Sequence, residues 1–109
     1  MTIQEIAEKL RLQPLTKLAE RTVTGVYISD MVSDVIANAK SGNILVTVQV
    51  HNNVVAAANL VDVAAIVVTR GRKPAEDTLQ LAEKAGIPVF CTELNSWQIA
   101  SHLYEAGIR

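Results

Sequence analysis

Cysteine, aromatic rings, a charge excess of one sign and long apolar runs are all scarce in this chain. Among 109 residues there is one cysteine, Cys91. No internal disulfide can form, and a reducing, cytoplasmic setting is expected. Aromatic residues make up only 4% of the chain, so its core must be built from Val, Ile, Leu and Ala. Ten basic residues face eleven acidic ones, a net charge of −1. Nucleic acids and membrane surfaces, which attract a basic field, are therefore not expected as partners. The longest apolar run, Val54 to Val61, is interrupted by Asn59 and falls far short of the roughly 18 residues that span a bilayer. The start, "MTIQEIAEKLRL", has an early acid and no apolar stretch, so no signal peptide is expected. His51 and His102 are the two histidines, and neither has a second ligand at metal-binding spacing. No metal or cofactor is expected.

Half the residues are apolar, enough for one folded domain over residues 1–109. Thr2 and Glu5 have capping-box spacing, and Ile3, Ile6, Ala7 and Leu10 then share a helical face. The segment Leu12 to Glu20 is ambiguous, because Pro14 breaks any helix through it. "TVTGVYIS" (22–29) predicts a strand, followed by a helix over 31–39 capped by Ser29 or Asp30, with Val32, Val35, Ile36 and Ala39 inward. "ILVTVQV" predicts a second strand. A short helix from Val54 to Leu60 follows, capped by Asn52 or Asn53. "VAAIVV" predicts a third strand, and Pro74 suits the first turn of a helix over 75–84. In that helix Leu79, Ala82 and Ala85 face in, and Glu76, Asp77, Glu83 and Lys84 face out. "IPVFC" predicts a fourth strand, and Asn95 or Ser96 caps a helix over 97–106 with Trp97 as a packing anchor.

Strands and helices alternate, and the strands are apolar on both faces. A mainly parallel four-stranded sheet flanked by helices is expected, an α/β fold. In such sheets the loops after the strands gather at the carboxyl edge, where ligands bind. Those loops hold Ser29 and Asp30, then His51 and Asn52, then Thr69, Arg70, Gly71 and Arg72. These eight are the candidate ligand-binding residues. In "TRGRKP", Gly71 allows close backbone approach, the helix after Pro74 offers free amides, and Arg70 can grip a phosphate with two hydrogen bonds. The same stretch also reads as a plain strand-to-helix turn with solvated charges. His51, Asn52 and Asn53 could read a base or sugar, or His51 could be a loop histidine and Asn53 a helix cap. Asp30 and Asp34, four apart, could pair on one helical face for acid–base or cation chemistry, or cap and solvate a first turn. A nucleophilic Ser29–His51–Asp30 set lacks any G-x-S-x-G elbow. The helix at 54–60 is apolar almost all round, so it is either buried by other elements of the domain or packed against a second copy; the second, favoured, reading makes Val54, Val55 and Ala58 candidates for a homodimer interface.

The run "AAIVVTRGRKPAEDTLQLAEKAGIPVFCTELNSWQIASHLYEAGI" is similar to the second half of the N-terminal, non-catalytic domain of HPr kinase/phosphorylase. The upstream "TVTGVYISDMVSDVIANAKSGNILVTVQVHNNVVAAANLVDVAAIVVTRG" resembles DRTGG domains still more. Together the resemblance spans about Thr2 to Ile108. It implies a dimeric regulatory or interface module, expected to act through a partner protein; the alternative expectation is a sensor of the same fold that binds an adenine nucleotide or another phosphorylated metabolite at the strand-end loops. It does not imply a kinase. No G-x-x-x-x-G-K-[ST] is present, and the Lys40-Ser41 pair follows "DVIANA", without the glycines that would cradle phosphate.

Overall fold

The computed structural model describes residues 1–17 and 19–109. Helix α1 (Ile3–Leu10) opens with the Thr2/Glu5 capping box: the Glu5 amide donates to the Thr2 hydroxyl and the Thr2 amide to the Glu5 carboxylate. The Thr2 amide and then the Thr2 hydroxyl, both donating to its carboxylate, hold the Glu5 carboxyl below its usual range. Ile3, Ile6 and Ala7 are buried, as the periodicity requires. Then come β1 (Gln13–Pro14), β2 (Gly25–Ile28), α2 (Val32–Asn38), β3 (Asn43–Thr47), α3 (Asn52–Val61), β4 (Ala65–Val68), α4 (Glu76–Ala85), β5 (Val89–Cys91) and α5 (Ser96–Glu105).

Among the described residues the sheet has five strands in the order β1-β5-β4-β3-β2. β2 to β5 are parallel, and β1 runs antiparallel to β5. The expected four-stranded parallel sheet is thus present but extended by one mixed strand. β1 comes from the ambiguous stretch around Pro14, and two residues are too few to show a period. A proline is tolerated there because β1 is an edge strand.

The parallel strands are consecutive in space, so right-handed crossovers place α2, α3 and α4 on one face. Their core joins Val35, Leu45, Val54, Ile66, Val68, Ala82 and Val89. α1 and α5 cover the other face with Ile3, Ile6, Ile44, Val46, Val67, Phe90, Ile99 and Leu103. This order explains α3. It lies between α2 and α4, so Val54, Val55 and Ala58 are 3%, 2% and 0% exposed within their own chain. A helix with a neighbour on each flank needs an apolar surface wider than one stripe. The dimer-interface reading of these three residues is corrected: a second copy cannot reach them.

Other expectations also shift. α2 has Met31 at its N-cap without a side-chain bond, and Ile36 faces solvent rather than the core. Asn52 begins α3 rather than capping it. Pro74 precedes α4 by two residues instead of starting it. α5 is capped by Asn95 with a reciprocal Gln98 bond, but Trp97 is 78% exposed and anchors nothing.

Candidate functional site

The loops after β2, β3, β4 and β5 do gather along the carboxyl edge. α4 leaves β4 toward one face and α5 leaves β5 toward the other. The crevice between such diverging loops is where open α/β sheets take ligands. Here it is stitched shut. Arg70 and Gly71 adopt consecutive left-handed conformations, φ 62° and 70°. That turns the Arg70 amide onto the Leu94 carbonyl at 2.9 Å and the Gly71 amide onto the Thr92 carbonyl at 2.8 Å. Thr69 is fully buried and its amide donates to the Thr47 carbonyl at 3.0 Å. A β-carbon on Gly71 would lie 2.5 Å from a Glu93 carboxylate oxygen. The amides that would cradle a phosphate at T-R-G therefore already have acceptors, and a carboxylate rests on the glycine.

The neighbouring loops are tied in the same way. Arg72 donates from Nη1 to the Val48 carbonyl at 3.0 Å. The Asp30 carboxylate accepts from the Thr47 hydroxyl at 2.9 Å and from the Val48 amide at 2.8 Å. Gln49 Nε2 closes the ring on the Asp30 carbonyl at 2.9 Å. The Ser29 hydroxyl accepts from the Met31 amide at 3.2 Å. Arg70 leaves its side chain exposed. Asp30 and Asp34 do not pair: Asp30 lies outside α2 and turns to the β3 loop. Asp34 instead accepts from the Tyr27 hydroxyl and from Asn38, each at 2.8 Å. The Ser29 hydroxyl, then Asn38 and Tyr27, hold the Asp34 carboxyl below the usual range. In return, the Asp34 carboxylate pushes the Tyr27 phenol up. Cys91 is buried at the end of β5, and burial raises its thiol. Among the described residues no three His, Cys, Asp or Glu side chains cluster to hold a metal. No helix there is long and apolar enough to cross a membrane.

A second place on the same edge is open. A cleft of ≈ 640 Å³ lies between the N-termini of α3 and α4, lined by His51, Asn52, Asn53, Lys73, Asp77 and Thr78, with Val50 and Ala75. The N-caps, His51 and Ala75, supply no side-chain acceptor to the helices they start. Two positive dipole ends thus converge beside Lys73. Asn52 Oδ1 accepts from the Thr78 hydroxyl and fixes the two helices together. Asp77 brings the opposing charge, its carboxylate taking the Thr78 amide at 2.9 Å. Of the sequence candidates, His51 and Asn52 meet here; Ser29, Asp30, Thr69, Arg70, Gly71 and Arg72 are not among the lining residues. Asp77 and Thr78 were missed as site residues. Only the strand order places their helix start beside that of α3.

A third feature lies at the end of the sheet. Among the described residues β2 pairs only with β3, so its other side is an unpaired edge. A groove of ≈ 660 Å³ follows it, lined by Val26, Tyr27 and Ile28 from the strand and by Leu103, Tyr104 and Ile108 from α5 and beyond, with Lys40, Asn38, Asn43 and Arg109 as its polar residues.

The fold and the family are shown by comparison with known proteins. No curated protein matches the chain by sequence. Among solved structures, the CBS and DRTGG domains of the regulatory region of Clostridium perfringens pyrophosphatase, complexed with the activator diadenosine tetraphosphate, superpose with a TM-score of 0.72 at 17% identity. That match covers 94% of this chain and 45% of the other, so the chain spans under half the length of the solved one. This solved neighbour is a pyrophosphatase regulatory region rather than an HPr kinase. The DRTGG domain model matches residues 5–106, nearly the whole sequence, and the chain belongs to the DRTGG domain family.

Proposed function

We propose that this chain is a non-catalytic regulatory module, a homodimer that acts through a partner protein. The observation that carries the reading is the lacing of the strand-end loops. Asp30, Thr69, Gly71 and Arg72 spend their polar groups on one another's loops, which makes a rigid edge rather than a reactive one. An enzyme using Asp30, His51 and Arg70 would need Asp30 free to take a proton. Its carboxylate is instead committed to Thr47 and Val48. Membership of a family with a regulatory relative supports the same reading.

The open cleft favours a second reading that is compatible with the first. The module senses an adenine nucleotide or another phosphorylated metabolite between α3 and α4, with the phosphate on the helix starts and Lys73. The solved relative's regulatory region carries an adenine-nucleotide activator, which motivates the choice of probe. Titration calorimetry with ATP, AMP and diadenosine tetraphosphate tests the sensor, and light scattering tests the dimer. Binding that is lost in Lys73→Ala supports sensing. A dimer that binds none of the three leaves the contact module alone. Turnover of any of them would overturn the non-catalytic reading.

A further inference from the structure

We propose that β2 pairs antiparallel with β2 of a second copy, joining two five-stranded sheets into one of ten strands across a two-fold axis. This rests on the homodimer reading above and names its surface.

The two edges of the sheet differ in how they treat an incoming strand. β1 is two residues long and carries Pro14, the usual means of blunting an edge. β2 has four residues, Gly-Val-Tyr-Ile, with no proline, no charge and two β-branched side chains. In a parallel ladder alternate residues turn both backbone groups to the same neighbour. The Ser29 amide donates to the Val46 carbonyl, and the register pairs Tyr27 with Leu45. Gly25, Tyr27 and Ser29 therefore face β3, and Val26 and Ile28 turn their amides and carbonyls to the open side. The Thr24 amide is taken by the Gly42 carbonyl, so the free run is Val26 to Ile28.

These unpaired groups define the occupant as an extended strand, and the residues point to the same strand from a second copy. A two-fold axis perpendicular to the sheet at Tyr27 sets Val26 opposite Ile28 of the second copy, and the reverse. Both are outward-facing residues, so each pair exchanges two backbone hydrogen bonds. On the side of the sheet shared by Val26 and Ile28 this makes two β-branched cross-strand pairs. On the other side Tyr27 meets its own copy, an aromatic pair at the closely spaced position. The interface is isologous and closes on itself. It also covers Ile28, 44% exposed, and brings together the two grooves beneath Tyr104.

The test is light scattering on the wild type, Val26→Pro and Ile28→Lys, with disulfide trapping of Tyr27→Cys. Val26→Pro removes an outward donor and no bond to β3. Ile28→Lys leaves the backbone intact and decides the matter if the proline variant fails to fold. The wild type should have twice the chain mass, and both variants the single mass with a cooperative melt retained. In a closely spaced antiparallel pair the Cα atoms lie about 4.5 Å apart, within disulfide reach. Tyr27→Cys should therefore cross-link under mild oxidant, while the buried Cys91 of the wild type does not. A dimer that survives both edge variants, with no Tyr27→Cys cross-link, overturns the edge but leaves the homodimer. A monomeric wild type overturns both.

Discussion

The T-R-G turn and the mouth between α3 and α4 lie on one edge of the same sheet and treat their backbone donors in opposite ways. At Arg70 and Gly71 two successive amides are bonded to the β5 loop. At α3 and α4 two helix starts meet a cleft with no side-chain cap on either. The first has the glycine and arginines that suggest a phosphate loop, yet its donors are spent. The second has the plainer sequence; Val54 and Thr78 give their amides to His51, Ala75 and Asp77, but the first two amides of each helix, at Asn52, Asn53, Glu76 and Asp77, have no acceptor among the described residues. Anion binding follows unpaired amides, and these depend on which loops the strand order makes neighbours.

The largest effect should come from breaking the locked side. Gly71→Ala forces an L residue into φ +70° and brings its β-carbon onto Glu93. A destabilisation of about 1–2 kcal/mol is expected from the backbone alone, a fall of roughly 4–8 °C in melting temperature per kcal/mol. Adding Glu93→Ala should recover the collision but not the backbone strain. Calorimetric melts of the single and double variants separate the two.

On the open side, Lys73→Ala should weaken ATP binding about tenfold, the scale of one charge-assisted hydrogen bond, with little change in the unliganded melt. Arg70→Ala should leave that affinity within about twofold of the wild type, since its loop is outside the cleft. Asp77→Asn should tighten binding by removing the opposing charge. Titration calorimetry on the three variants ranks them.

Asp30→Ala tests the lacing between the β2 and β3 loops. It removes the acceptor of the Thr47 hydroxyl and the Val48 amide and should cost about 1 kcal/mol, read in a denaturant melt, with no effect on ATP affinity.

The smallest effect is in acid, far from both regions. The Arg21 guanidinium, 2.6 Å from Asp62, and the Ser41 hydroxyl hold the Asp62 carboxyl below its usual range. A carboxyl lowered in the folded state adds stability above the unfolded pKa, and that stability is lost as pH falls through the folded value. The wild type should lose stability below about pH 4, and Asp62→Asn should shallow that acid limb, measured by melts from pH 6 to 2.

The sequence made the parallel part of this fold legible because each βα unit repeats the same local signals. The capping boxes at Thr2 and Asn95 are visible as Thr-x-x-Glu and Asn-x-x-Gln, and both form. β1 was not legible, since a two-residue edge strand with a proline owes its place to β5 and not to its own propensity. The starts of α2, α3 and α4 were misjudged by one or two residues because Met31, His51 and Ala75 cap without a side-chain bond. Val54, Val55 and Ala58 look like an interface until α2 and α4 are placed beside them. At the site, grouping of the loops followed from strand and helix alternation. Which loop keeps free donors did not, because the left-handed Arg70 and the carbonyls it meets belong to tertiary structure.

The most direct measurement is an amide-resolved NMR titration of the labelled protein with ATP. The account predicts shifts centred on the free amides of Asn52, Asn53, Glu76 and Asp77, with the Arg70, Gly71 and Thr92 amides unmoved. Shifts centred on Arg70 and Gly71 would contradict it, since those amides could then leave Leu94 and Thr92 for a phosphate.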